Sequence, residues 1–166
     1  FFFVIVLAVA STATHASISN SNDSTILIIG DSLSAGLGVT YNQAWPSLLQ
    51  NRLKKEGYLI QVLNAGISGD TTSGGVQRLP KLLDKHTPEI VVIELGGNDG
   101  LRGTSIKSIE NNLRLMIELA LNYDAKILLA GMQLPPNYGN VYATSFQNIF
   151  PQLAIEYKIG LVERLI

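Results

Sequence analysis

The chain has 166 residues, 46% of them hydrophobic and 15% charged, with a net charge of −1 and no cysteine. That length suits one packed domain. A near-neutral charge argues against a nucleic-acid partner, which normally needs a basic face, and the missing thiols exclude disulfides, thiolate catalysis and zinc–sulfur sites.

Residues 1–10 form an uninterrupted apolar run, followed by the small and polar residues 11–16. The run is too short to span a bilayer, which takes about 20 residues. It reads as the hydrophobic and cleavage regions of a secretory signal, with cleavage expected between Ala16 and Ser17. The expected division is a signal peptide over 1–16, lacking its basic n-region, a polar linker over 17–24, and one domain over 25–166. The first basic residue is Arg52, so the natural start is expected further upstream. A periplasmic or secreted protein follows, and with no cysteine after the leader a lipid anchor is not expected.

Beyond the linker, β-branched runs alternate with amphipathic segments. Strands are predicted over 25–29, 60–64, 90–94 and 126–130, with a fifth beginning near Leu161. Between them, Trp45, Leu48, Leu49 and Leu53 recur at helical spacing, with Pro46 near the start and Gly57 at the stop. Val76, Leu79, Leu82 and Leu83 mark a second helix that ends before Pro88. Ile106, Ile109, Leu113, Ile117 and Leu121 form the clearest stripe, closed by Asn122. Phe146, Ile149, Phe150, Leu153 and Tyr157 mark a fourth helix, in which Pro151 predicts a kink. Apolar strands separated by helices are covered on both faces, which predicts an α/β fold around a parallel sheet.

Three segments follow the first three strands: Gly30-Asp31-Ser32-Leu33-Ser34, Ser68-Gly69-Asp70-Thr71 and Gly96-Gly97-Asn98-Asp99. In a doubly wound sheet such segments gather in one crevice at the carboxyl edge. A serine hydroxyl, a glycine N–H and an asparagine amide would meet there, and these are parts of an acyl-transfer site. Each has a plainer reading. Asp31, Ser32 and Ser34 all suit a helix N-cap, Gly69 can simply shape a loop whose Asp70 or Thr71 caps the next helix, and Asn98 suits an Asx-turn. The G-x-S-x-G elbow is absent, because position 34 is serine.

Taken together, the segments resemble the GDSL, or SGNH, hydrolases, and closely the bacterial periplasmic thioesterase/lysophospholipase/arylesterase group. The matching text runs through Ile29-Gly30-Asp31-Ser32-Leu33-Ser34-Ala35-Gly36, Ala44-Trp45-Pro46, Ile67-Ser68-Gly69-Asp70-Thr71, Arg78-Leu79-Pro80, Glu94-Leu95-Gly96-Gly97-Asn98-Asp99-Gly100-Leu101-Arg102-Gly103 and Leu134-Pro135-Pro136-Asn137-Tyr138-Gly139. The resemblance implies a three-layer α/β/α sandwich with flavodoxin-like strand order 2-1-3-4-5. It implies Ser32 as nucleophile, and an oxyanion hole made by the Ser32 and Gly69 amides and the Asn98 side chain. It also implies Asp-x-x-His after the fifth strand, which these 166 residues do not reach; the reading frame is expected to continue past Ile166.

His86 is not expected to substitute for that histidine. It precedes the third strand, and at about 3.3 Å per residue the strand holds it roughly 16 Å from Ser32, whereas a general base works at about 3 Å. His15 falls in the leader. The expected function is therefore a monomeric serine hydrolase of small acyl esters or thioesters, lysophospholipids among them, needing no metal or organic cofactor. Segments 100–103 and 134–139 are expected to form the mouth for the acyl chain. Two other classes stay open: an inactive acyl-binding or structural protein of the same fold, and a flavodoxin-like module that cradles a phosphate.

Overall fold

The computed structural model describes residues 24–163. The leader, residues 17–23 of the linker, His15 and residues 164–166 lie outside the described part. Ser24, expected in the linker, opens the first strand instead, paired with Ile60.

Five parallel strands form one sheet: β1 (Ser24–Gly30), β2 (Ile60–Gly66), β3 (Ile90–Glu94), β4 (Lys126–Ala130) and β5 (Gly160–Val162), in the order β2-β1-β3-β4-β5. This is the expected doubly wound order. The helices are α1 (Ser32–Ala35), α2 (Trp45–Lys55), α3 (Thr72–His86), α4 (Gly97–Leu101), α5 (Ile106–Leu121) and α6 (Asn140–Tyr157).

Side chains alternate across a strand, and both faces of the central strands are apolar. Leu27, Ile29, Val91 and Ile93 point to one face, where α3, α5 and α6 bury Leu79, Leu83, Leu113, Met116, Phe146 and Phe150 against them. Ile26, Ile28 and Val92 point to the other, where α2 brings Trp45, Leu49 and Leu53. The sheet is thus covered on both sides, as continuous apolar strands require.

The predicted helices are longer than their apolar stripes. The second begins at Thr72, ahead of its first apolar stripe residue Val76, because Thr71, one of the two candidate caps, accepts from the Gly74 N–H. The fourth begins at Asn140, and both Pro80 and Pro151 lie inside assigned helices. Tertiary burial of Leu79, Leu83, Phe150 and Leu153 beside these prolines holds the turns that propensity alone would break.

Candidate active site

Ser32 is the first residue of α1, directly after β1. Asp31 takes the N-cap, its Oδ1 accepting from the Leu33 N–H at 3.0 Å. The capping reading therefore belongs to Asp31, and the Ser32 hydroxyl is not needed for it. Backbone N–H groups in the first turn of a helix have no intrahelical partner, and the Ser32 amide is one of these.

Below this turn lies Glu94, the last residue of β3 and fully buried. Its Oε2 accepts from the Ser34 hydroxyl at 2.5 Å and from the Asp31 N–H at 3.3 Å. These two donors straddle Ser32 in sequence, so one carboxyl oxygen grips the turn from both sides. Its Oε1 is buried without a hydrogen-bond partner. Burial is the main cause that pushes the Glu94 carboxyl up from 4.5 to about 7; the Ser34 bond opposes it and the Asp31 charge adds to it. Close packing demands glycine above it, because a Cβ on Gly30 would lie 2.5 Å from Glu94 Oε2 and 2.3 Å from Ser34 Oγ.

Asn98, in the first turn of α4, joins all three segments. Its Nδ2 donates to Asp31 Oδ2 at 3.0 Å and to the Asp70 carbonyl at 2.9 Å. The Asx-turn reading does not describe it. Both amide hydrogens are engaged, so an oxyanion at Asn98 would compete with these two acceptors. Burial raises the Asp31 carboxyl above its ordinary range, the Leu33 N–H holds it down, and the Asp70 charge pushes it further up. Asp99, the neighbour of Asn98, accepts from the Thr72 N–H at 2.8 Å and hydroxyl at 2.7 Å, tying α4 to the start of α3.

Gly69 sits at a turn closed by the Asp70 N–H donating to the Ile67 carbonyl at 3.0 Å. Its φ of +80° is a conformation that glycine adopts without strain. Its carbonyl accepts from Arg102 at 3.1 Å. Asp70 is held by Arg78, whose Nε donates to it at 2.7 Å while Nη1 and Nη2 donate to the Ala65 and Gly30 carbonyls. The structure thus brings Asp31, Asn98 and Asp70 into direct contact, with Ser32 and Gly69 adjacent in the chain.

A cavity of about 270 Å³ opens at Ser32, walled by Leu33, Leu101, Met132, Leu134 and Pro135, with Asp31 and Asn98 at its polar end. The expected mouth over 100–103 and 134–139 is present in part, through Leu101, Leu134 and Pro135. Tyr138 clasps its two sides by donating to the Leu101 carbonyl at 3.1 Å. His86 ends α3 beside Ser24, Thr25, Pro88 and Glu89 at the opposite, amino edge of the sheet. Among the described residues no three His, Cys, Asp or Glu side chains gather to hold a metal.

Sequence reasoning passed over Glu94, the Asp31–Asn98 contact and the Arg78 clamp. The one available signal was a carboxylate closing the apolar run Ile90-Val91-Val92-Ile93. Strand alternation places it on the face of Ile90 and Val92, inside the protein.

A parallel sheet in this order, with a serine on the turn after its first strand and an apolar cavity beside it, is the architecture of an α/β acyl hydrolase. The chain belongs to the GDSL-like lipase/acylhydrolase family, whose sequence model matches residues 28–163. It is 51% identical over 138 residues to the esterase TesA of Pseudomonas aeruginosa, covering 83% of this chain and 69% of that protein. It is 40% identical over 162 residues to thioesterase 1/protease 1/lysophospholipase L1 of Escherichia coli, covering 98% of this chain and 72% of that one. A crystal structure of TesA superposes with a TM-score of 0.82 at 50% identity, over 84% of this chain and 78% of that one.

Proposed function

We propose that this protein hydrolyses small acyl esters and thioesters through Ser32. The observation that carries the reading is the convergence of Asp31, Asn98 and Asp70 beside the Ser32 turn, at the polar end of an apolar cavity. Ser32 Oγ attacks the acyl carbonyl, and the bond to the leaving group breaks as the tetrahedral intermediate collapses. The Ser32 and Gly69 N–H groups stabilise the oxyanion together with the Asn98 amide, which gives up one of its two acceptors, Asp31 or the Asp70 carbonyl, to do so; one such donor contributes roughly 2.7–4 kcal/mol. Water then releases the acyl group from Ser32.

The base that takes the Ser32 proton is the histidine of the Asp-x-x-His segment that the family resemblance implies after β5; His86 lies at the opposite edge of the sheet. The names of the relatives, esterase, arylesterase and thioesterase 1/lysophospholipase L1, support esters, thioesters and lysophospholipids as substrates. The apolar leader supports a periplasmic or secreted location. The protein is expected to act as a monomer without a cofactor.

The test is hydrolysis of p-nitrophenyl butyrate by the protein translated from its complete reading frame. Turnover that falls to background in Ser32→Ala is expected, with the 166-residue chain near background as well. Robust turnover by the 166-residue chain, lost in His86→Ala, would overturn the placement of the base. A complete protein that folds but gives no turnover would favour an inactive acyl-binding protein.

A further inference from the structure

A second groove, of about 490 Å³, runs between β2 and α3. Its upper end is Ala65, Gly66 and Ile67, and its wall along α3 carries Arg78, Lys81, Lys85 and His86. Arg78, Lys81 and Lys85 stand three and then four residues apart, so they share one helix face. Among the described residues no carboxylate lines this groove. The acid of that stretch, Asp84, accepts instead from the Tyr123 hydroxyl. Among the described residues Lys81 and Lys85 have no ion-pair partner, whereas Arg78 is fixed by Asp70 at the top of the groove. In a chain of net charge −1, this is a local concentration of positive charge.

Strand order relates the groove to the chemistry. Ser32 follows β1, which lies between β2 and β3. The apolar cavity lies on the β3 and β4 side, walled by Leu101, Met132 and Leu134. The basic groove lies on the β2 side, and its Ile67 donates through its N–H to the Gly30 carbonyl at 3.0 Å, two residues before Ser32. Ser32 therefore stands between an apolar cavity on the β3 and β4 side and a cationic groove on the β2 side.

We propose that the β2–α3 groove binds the phosphate of a phosphate-bearing leaving group. The inference rests on the acyl-hydrolase reading and adds a leaving-group site to it. Lys81 and Lys85 meet the phosphate as point charges with rotatable donors, and Ile67 and Leu82 supply an apolar wall for the arm between phosphate and scissile bond. Two sources carry this chemistry: a lysophospholipid headgroup, with its phosphate a few bonds from the ester, and a nucleotide-bearing thiol carrier, with phosphates further away. From Arg78 to Lys85 the helix rises about 10 Å; Arg78 is held by Asp70 and two carbonyls, so the first source engages Lys81, and the second reaches Lys85 and His86.

Calorimetric titration with coenzyme A and with glycerophosphocholine tests the site on the folded full-length protein without any turnover. Saturable binding of at least one probe is expected, weakened about tenfold or more in Lys81→Gln/Lys85→Gln, which is a shift of one decade in Kd. Lys107→Gln, on α5 outside the groove, should bind like the parent. Loss confined to coenzyme A in Lys85→Gln identifies the thiol carrier, and loss of glycerophosphocholine in Lys81→Gln the lipid headgroup. Absence of binding by both probes, or binding unchanged in the double variant, would overturn the site. Ester turnover without probe binding removes the groove and leaves the acyl-hydrolase reading standing. Probe binding without ester turnover does the reverse.

Discussion

Glu94 shows how one buried side chain can hold the turn that carries Ser32. Its carboxyl titrates near 4.5 when exposed and at about 7 in the fold. Between those values the folded protein holds a proton that the unfolded chain has released. Its contribution to stability is full below pH 4.5 and is lost as pH rises through about 7. Thermal melts of the parent should therefore fall in Tm from pH 5 to pH 8, and Glu94→Gln should flatten that slope whatever its offset. An equal slope in both proteins would mean that Glu94 does not titrate in this range. Asn98 invites a kinetic test. Asn98→Ala should lower kcat about 10²–10³-fold, the cost of one oxyanion donor, with KM little changed. Asp31→Asn replaces the acceptor that holds the Asn98 amide and should lower kcat too. In the Asn98→Ala background it should cost much less, because the two act as one unit. Additive losses would assign Asp31 a separate role. The sequence pointed to Ser32 and Asn98 because glycine-flanked polar residues after strands are conspicuous. It hid the Asp31–Asn98 and Glu94–Ser34 contacts because each joins residues more than 59 positions apart.

At the scale of elements, two glycines show where the packing leaves no room. Gly66 closes β2 against α1: a Cβ there would lie 2.6 Å from the Ala35 backbone nitrogen and 2.8 Å from the Ser34 backbone carbon. Gly66→Ala must therefore displace the helix that begins with Ser32. Ester turnover should drop sharply in a protein that still melts cooperatively, measured by p-nitrophenyl butyrate hydrolysis and calorimetry together. Gly75 lies where α3 crosses α5, and a Cβ would stand 2.4 Å from Leu95 Cδ1 and 2.7 Å from Met116 Sδ. These are side-chain ends that can shift, so Gly75→Ala should destabilise by about 1–3 kcal/mol, the usual cost of overpacking. Denaturant melts would show it as a lower midpoint at an unchanged m-value. The helical stripes named the middle of the buried faces of α5 and α6, since Ile109, Leu113, Ile117, Phe146, Ile149, Phe150 and Leu153 are buried, but Leu121 at the end of the α5 stripe is exposed, and Met116 and Ala120, outside that stripe, are buried. The cap of α3 was legible, since Thr71 was one of its two candidates; what the sequence did not show is the tie from Thr72 to Asp99 of α4, which exists only in the folded chain.

For the whole molecule, stability should follow the sheet from its centre outward. Leu27, Ile28, Ile29, Val91 and Ile93 are fully buried in β1 and β3, which pair on both sides, whereas β5 is a short strand that, among the described residues, pairs with β4 alone. Native-state hydrogen exchange should find the slowest amides in β1 and β3 and the fastest strand amides in β5. Uniform protection across the five strands would contradict this gradient. The sequence by itself determined the fold class, the strand succession and the gathering of three polar segments at one edge. Hydrophobic periodicity is local, and a parallel α/β chain has few ways to wind. Only the tertiary structure decided which polar groups are satisfied by whom. It committed both Asn98 hydrogens to Asp31 and Asp70, buried Glu94 beneath Ser34, and separated an apolar cavity from a cationic groove on either side of β1. Hydrogen-bond partners and desolvation depend on distances between residues far apart in the chain, and those distances exist only once the layers have packed.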